Sequence, residues 1–337
     1  MKKYTRLIKS AALLLAALLT LTAAGCGGNP GAAGTPVSDD AVQAGADAEK
    51  LSIVATIFPP YDFSREIAGG LAEITMLLPP ASESHSFEPT AQDIIKIQNC
   101  DAFIYVGGES DEWVNGVLDS MDTSNIRIIT LMDCVEVVEE EIVEGMQDEE
   151  EAEEGEEAEE GPEYDEHVWT SPRNAKLIVA KLTDAFCEAD AANADIYRAN
   201  AEAYSAKLDA LDAEFRAVTD NAARRVMVFG DRFPFRYFAD AYDLEYFAAF
   251  PGCSTETEAS MATVAFLIDK IKDENIPVIF HIELSNEKMA DTIAGETGAE
   301  KRLLHAAHNI SKADFEAGES YLSIMSRNVD SLQAALQ

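Results

Sequence analysis

Positive charge is what this sequence has least of. Lys and Arg together number 25 against 62 Asp and Glu, which gives a formal net charge of −37 at pH 7. Binding to a nucleic-acid backbone depends on lysines and arginines that neutralise phosphates, so no nucleic-acid partner is expected. Much of the acidic excess lies in residues 139–166, which contain no Lys or Arg. Such a run of like charge repels itself, and we predict a mobile surface loop over residues 144–163.

Common enzyme and thiol motifs are also missing. The five cysteines include no C-x-x-C pair, which argues against a thiolate zinc knuckle or a thioredoxin-like motif. The patterns H-E-x-x-H, G-x-S-x-G and G-x-x-x-x-G-K-[ST] do not occur either, so the chain is predicted not to be an enzyme. Four cysteines are interpreted as buried free thiols or, since export would permit them, as disulfide partners: Cys100, Cys134, Cys187 and Cys253.

The amino-terminal residues predict export and attachment to a membrane. A basic stretch in residues 1–9 precedes an apolar run over residues 11–24, shorter than the roughly 20 residues that span a bilayer. This pattern predicts a signal peptide over residues 1–25. The Ala-Ala-Gly before Cys26 resembles a bacterial lipobox, which implies lipidation of Cys26; ordinary cleavage that leaves a spare cysteine is the alternative. Residues 26–50 predict a flexible tether, so we expect an extracytoplasmic, lipid-anchored protein on the bacterial cell membrane.

Residues 51–190 alternate between strand and helix patterns. Strands are predicted at residues 51–58, 73–78, 102–106 and 126–131, and helices at residues 61–68 and 90–98. This alternation predicts a mostly parallel sheet with helices on both faces. Ligands bind such sheets outside the carboxyl ends of the strands, where the loop that carries His85 falls.

A single long helix is predicted in the middle of the chain. Apolar residues from Tyr197 to Val218 recur at alternating steps of four and three, which places them along one helix face. A coiled-coil dimer would use the same stripe, but it spans only about three heptads. We therefore favour a monomer in which a rigid linker helix, residues 191–222, joins an amino-terminal lobe (51–190) to a carboxy-terminal lobe (223–337).

The carboxy-terminal lobe repeats the alternation without repeating the sequence. Strands are predicted at residues 226–229, 244–250, 277–283 and 302–305, and helices at residues 234–242, 256–274, 285–297 and from 318 to the end. The predicted fold class is α/β, with two lobes that each hold a mostly parallel sheet flanked by helices, joined by one long rigid helix.

Two segments hold histidines in polar surroundings beside a proline. One reads H-S-F-E-P-T-A-Q-D from His85 to Asp93, and the other reads D-E-H-V-W-T-S-P from Asp165 to Pro172. Imidazole is the commonest metal ligand, and the chain has only five histidines. With the charged loop between them and the long helix after them, these motifs resemble the zinc/manganese-specific substrate-binding lipoproteins of ABC importers. The resemblance covers residues 51–337.

This resemblance implies a receptor that captures a divalent metal, Zn2+ before Mn2+, in the cleft between two lobes. It further implies that the metal is delivered to the membrane permease of an ABC importer. Other functions stay open at this point: a Mn2+ receptor of the same family, a surface adhesin with a bound metal, or an anchored zinc hydrolase. The acidic loop is either a solvating insertion or a device that concentrates cations within a Debye length, roughly 8 Å, of the site.

Carried over by position, His85 and His167 match the two metal ligands of the first lobe. In the second lobe, Arg232 stands where the family's zinc binders carry a histidine, and arginine has no lone pair to offer. His308, near the family's last ligand position, is the favoured replacement. The alternatives are His305, His281, Asp231, Glu256, Glu258 and Glu283.

Three imidazoles would favour zinc as the bound metal. A site that recruits two carboxylates would favour manganese instead. Because ligating imidazoles must be neutral, we expect metal affinity to weaken as the pH falls through about 6.5.

Overall fold

The computed structural model describes residues 50–83, 87–146, 163–254 and 258–337. The predicted signal peptide, Cys26 and nearly all of the tether lie outside these ranges, as does His85. Within them, no helix combines the length and the apolar character needed to cross a membrane.

Four parallel strands form the sheet of the first lobe. The strands are β1 (Leu51–Ala55), β2 (Ala72–Met76), β3 (Ala102–Tyr105) and β4 (Arg127–Thr130), and the helices are α1 (Phe58–Ala68), α2 (Ala91–Gln98), α3 (Glu112–Asp119) and α4 (Pro172–Ala189). The sheet order is β2-β1-β3-β4. The two central strands, β1 and β3, are almost entirely apolar and buried, as expected for parallel strands covered on both faces.

Helix α1 begins earlier than predicted, with two prolines in its first turn. We predicted that Pro59 and Pro60 end a strand and that a helix starts at Tyr61. The strand ends earlier, and α1 begins at Phe58 with both prolines in its first turn. That turn has no intrahelical N–H bond for proline to lose, and the fixed φ of proline suits it.

The second lobe follows the long helix α5 (Ala194–Asp220). Its strands are β5 (Val226–Val228), β6 (Arg232–Phe233), β7 (Glu245–Phe247), β8 (Phe250–Pro251), β9 (Val278–His281) and β10 (Glu300–Leu303), and its helices are α6 (Arg236–Tyr242), α7 (Met261–Glu274), α8 (Lys288–Thr297), α9 (Lys312–Ala317) and α10 (Tyr321–Leu336). Parallel pairs β5–β7 and β9–β10 are joined by a parallel bridge between Phe229 and Phe280. The resulting order, β7-β5-β9-β10, repeats the strand order of the first lobe.

Several boundaries in this lobe differ from the prediction. The helix expected from residue 256 begins at Met261, where the Ser260 side chain accepts the N–H of Thr263 as an N-cap. Strand β10 ends at Leu303, so His305 lies beyond it. Helix α9 was not predicted at all, since it has only six residues.

The apolar stripe on α5 is covered by the chain itself. Six of its residues are buried: Tyr197, Ala201, Tyr204, Leu208, Leu211 and Phe215. Helices α1, α4, α6 and α10 contact α5, so elements of both lobes lie on it. The stripe is therefore not available to a coiled-coil partner.

The two ends of the acidic segment are ordered and contact the second lobe. Glu139 forms an antiparallel bridge with Tyr164, which closes the segment into a stem. Beside it, Glu141 accepts a hydrogen bond of 3.2 Å from the hydroxyl of Tyr246. The stem thus contacts the other lobe although several of its side chains remain exposed, and the central residues 147–162 lie outside the described chain.

Candidate metal centre

His167 precedes a tight turn, Val168–Thr170, that leads into α4 and whose side chains are buried. Its own side chain has no exposed surface. The Asp165 Oδ1 atom accepts the backbone N–H of His167 at 2.8 Å and lies 3.2 Å from the ring atom Nδ1. A carboxylate on one ring nitrogen orients the imidazole so that the other nitrogen can bind a metal. His167 is therefore held in the form that a metal ligand requires.

The surroundings of His167 are strongly acidic. Burial alone would lower the pKa of this imidazole, but the carboxylates of Asp165, Glu166 and Glu140 outweigh it and raise the pKa. Burial in turn raises the pKa of Glu166 and of Glu140. A cation arriving at this position would relieve the repulsion between the buried carboxylates.

His308 lies in the turn that follows β10 in the second lobe. The carboxylate of Glu283 fixes this turn, because it accepts the N–H of Ala306 at 2.7 Å and that of His308 at 2.9 Å. Ala307, between them, has a φ of 59°, a left-handed conformation that costs a non-glycine residue free energy. Two bonds from one buried carboxylate offset that cost and hold His308 in place.

The two lobes bring His167 and His308 together. Their ring centroids are 5.2 Å apart with the planes at 86°. Trp169 lies beside both rings, 5.0 Å from that of His308, and its indole N–H donates to the Ala306 carbonyl at 2.8 Å. Two of the three imidazoles predicted as ligands therefore meet at the cleft.

A small cavity, partly open to solvent, lies at this contact. Its lining comes from both lobes: Ser82, Glu83, His167, Arg232, Pro234, Gly252, Ile282, Glu283, Leu284, Ala306, His308 and Asn309. His85 lies outside the described residues, but Glu83 precedes it by two positions. The Asn309 amide donates to the Ser82 carbonyl at 2.7 Å, which holds the start of the His85 loop against the second lobe.

Arg232 also lines the cavity, and its guanidinium group contacts residues of both lobes. One guanidinium nitrogen donates to the Ser254 carbonyl at 3.1 Å, and another lies 3.3 Å from a carboxylate oxygen of Glu83. The side chain thus ties its own lobe to the His85 loop. At the position of an expected ligand, this chain carries an inter-lobe ion pair.

The alternative histidine ligands have other hydrogen-bond partners. The Nδ1 atom of His305 accepts the N–H of Ala307 at 2.9 Å, and the Asn328 side chain binds the backbone of His305 on both sides. His281 lies at the end of β9, with Nδ1 at 3.1 Å from the Ile282 carbonyl. Both imidazoles thus have contacts that stabilise the fold.

The acidic alternatives are also engaged. Asp231 accepts the backbone N–H groups of Arg232 and Ile282, and Glu283 fixes the turn at His308. Glu258 is exposed, and Glu256 lies outside the described residues. Asp231 and Glu283 therefore accept hydrogen bonds that stabilise the backbone beside the cavity.

The sequence did not predict that Glu166 and Cys253 would lie close to each other and to His167. The ligand atoms of Glu166, His167 and Cys253 lie within 4.8 Å of one another. The sequence left Cys253 open as one of four buried free thiols or as a disulfide partner; all four are free, and Cys253 and Cys134 are half-buried. The sequence feature that could have pointed to Cys253 is its position, because it follows the end of strand β8 in the second lobe.

Comparison with known proteins assigns the chain to a family. The family model of the zinc-uptake complex component A, periplasmic, matches residues 53–335. The high-affinity zinc uptake system protein ZnuA of Bacillus subtilis is 31% identical over 86% of this chain and 88% of its own. The zinc-binding lipoprotein AdcA of Streptococcus pneumoniae is 29% identical over 97% of this chain, which spans 61% of that longer protein.

The fold agrees with these matches. The crystal structure of the Zn(II)-bound ZnuA-like domain of Streptococcus pneumoniae AdcA superposes with a TM-score of 0.70 at 28% identity, covering 86% of this chain and all of that domain. The predicted α/β architecture of two lobes is confirmed. This chain belongs to the family of the periplasmic zinc-uptake complex component A.

Proposed function

We propose that this chain is the extracytoplasmic receptor of an ABC importer, which captures Zn2+ in the cleft between its lobes and delivers it to the membrane permease. The contact of His167 with His308 carries this proposal, because two imidazoles from different lobes meet at one cavity. The names of the relatives point the same way, since two of them are described as a zinc uptake protein and a zinc-binding lipoprotein. Family membership also places the chain among binding proteins and not among enzymes.

We assign three nitrogen ligands to the metal: His85, His167 and His308. His85 comes two residues after Glu83, which lines the cavity, and two residues of chain reach at most about 7 Å. Zinc accepts such nitrogen ligands in tetrahedral geometry. Manganese prefers oxygen donors, so a receptor built on imidazoles favours zinc.

We also propose that lipidation of Cys26 anchors the receptor. The residues after Cys26 are small and polar, and some two dozen of them would give a tether with a root-mean-square length of about 25 Å. Such a tether would keep the cleft near the permease without fixing its orientation. The periplasmic family description supports the extracytoplasmic location.

Zinc titration of the wild type and of single variants tests the ligand assignment. We expect His85→Ala, His167→Ala and His308→Ala each to weaken zinc binding by more than the roughly 10- to 100-fold that changes behind a metal ligand cost. A competing chromophoric chelator measures the affinity of each variant.

His281→Gln is the matched control, because His281 is a half-buried imidazole of the second lobe that bonds to a backbone carbonyl. It should bind zinc like the wild type. Undiminished zinc affinity in both His167→Ala and His308→Ala would overturn the assignment.

A further inference from the structure

We propose that Cys253 is a metal ligand, and that Glu166, His167 and Cys253 form a sulfur-containing coordination set for thiophilic divalent cations such as Zn2+ and Cd2+. The inference rests on the proposed function, since the set shares His167 with the nitrogen set that includes His308. It adds a ligand from the second lobe, where Arg232 stands at the position at which the family resemblance led us to expect a histidine.

The spacing of the three side chains fits a metal after a small contraction. Their ligand atoms lie within 4.8 Å of one another. Zinc bonds of 2.0 to 2.3 Å in tetrahedral geometry place neighbouring ligand atoms about 3.3 to 3.8 Å apart. In the described part of the chain, no other three His, Cys, Asp or Glu side chains come this close.

Hydrogen bonds from the backbone of Gly252 and Cys253 hold this turn in place. The Glu140 Oε1 atom accepts the N–H of Gly252 at 2.8 Å and that of Cys253 at 3.4 Å. Glu140 belongs to the acidic stem, so the stem holds this turn of the second lobe against the first. Ligands that are already positioned lose little conformational freedom when the metal arrives.

Gly252 lets the turn lie directly against the imidazole. A methyl group at this position would lie 3.1 Å from the Cε1 atom and 3.2 Å from the Nδ1 atom of His167. That is closer than ordinary van der Waals contact, so the absence of a side chain brings Cys253 within reach of His167. Glu166 accepts the Ser110 backbone N–H at 3.2 Å on one oxygen and the Ser110 hydroxyl on the other. As a carboxylate with about four lone-pair sites, it can still bind a metal.

A thiolate changes which metals the cleft prefers. Sulfur ligands select zinc and other soft cations, whereas manganese is held by oxygen donors. On binding, the S–H bond of Cys253 breaks, the sulfur bonds to the metal and the proton passes to solvent. The half-buried thiol would thus discriminate against manganese.

Cobalt(II) substitution tests this directly, because a cobalt–thiolate bond gives a charge-transfer absorption that nitrogen and oxygen ligands do not give. We expect the band in the full-chain wild type and in Cys134→Ser, the half-buried thiol control of the first lobe. It should vanish in Cys253→Ser and Cys253→Ala. Cadmium affinity should fall at least about 10-fold in both Cys253 variants, with manganese affinity unchanged.

The outcomes separate the two proposals. A wild-type cobalt complex without the charge-transfer band, together with zinc affinity that depends on His167 and His308, would overturn the role of Cys253 and leave the proposed function intact. If the wild type does not bind zinc at all, both the proposed function and the role of Cys253 are overturned. The wild-type cobalt spectrum alone tests the role of Cys253, so the test holds even if a Cys253 variant does not fold.

Discussion

The His167 ring is held by a carboxylate and by two neighbouring rings. Asp165 engages Nδ1, and the rings of Trp169 and His308 lie 5.5 Å and 5.2 Å from the imidazole. The sequence motif singled out His167 together with the carboxylate two residues earlier, because both belong to the same short segment; its role as a metal ligand stays a prediction. His308 was a choice among several residues, since only folding brings the turn after β10 against Trp169.

The neighbours of Cys253 could not be predicted from the sequence. Its neighbours Glu140 and Glu166 come from the first lobe, more than 80 residues earlier in the chain. The thiol itself shows no spacing signal. Its setting arises only when the acidic stem packs on the second lobe.

Asp62 offers a pH-dependent test of the contact between α1 and α10. Its carboxylate is fully buried, accepts the Tyr321 N–H at 2.8 Å and lies 3.2 Å from a guanidinium nitrogen of Arg65. Burial outweighs both contacts and raises its pKa from 3.8 to about 6. The folded state therefore holds this proton more tightly than the unfolded state does. Stability from this group falls as the pH rises from about 4 to 6, and the full cost is present at pH 7.

We expect Asp62→Asn to raise the free energy of unfolding at pH 7, by up to about 3 kcal/mol, because the amide can still accept the N–H and carries no charge. The gain should shrink at pH 5. Urea unfolding at both pH values measures it, with the exposed Glu73→Gln on β2 as control. An equal gain at both pH values would contradict the buried charge as its cause.

At the scale of elements, the acidic segment is the largest departure from the prediction. Charge repulsion predicted a mobile loop over residues 144–163, and this stays a prediction for residues 147–162, which lie outside the described residues. It did not predict the stem, because Glu141 and its neighbours bind specific partners: Arg236 lies 3.5 Å from Glu141, and the Tyr237 hydroxyl donates to the Asp165 carbonyl at 2.7 Å. Local composition says nothing about partners on another lobe.

Neutralising the acids of residues 147–162 to Gln should slow zinc association at low ionic strength, because Glu140 and Asp165, in the described stem on either side of this run, act on His167. The difference should shrink as salt shortens the Debye length below about 10 Å. Stopped-flow fluorescence of Trp169, which lies 5.0 Å from the His308 ring, can follow the arrival of metal. If the neutral variant binds as fast as the wild type at low salt, the segment has no role in capture.

Across the whole molecule, alternating apolar strands and amphipathic helices were enough to predict the architecture. Parallel strands must be crossed over by helices, so few arrangements remain. The lobe boundaries at residues 190 and 222 stay predictions, because one hydrophobic core runs through both lobes and α5 lies within it. The bond from Trp169 to Ala306 and that from Tyr321 to Asp62 cross between the lobes as well. We therefore expect metal release to use local movement at the cleft, not a wide opening of the lobes.

Metal analysis of the full chain, purified without chelators from cells grown with both zinc and manganese, tests the central claim most directly. We predict close to one zinc ion per chain in the wild type, almost none in the double variant His167→Ala/His308→Ala, and little manganese in either. Retention of zinc by the double variant, or manganese as the main metal of the wild type, would contradict zinc capture between the lobes.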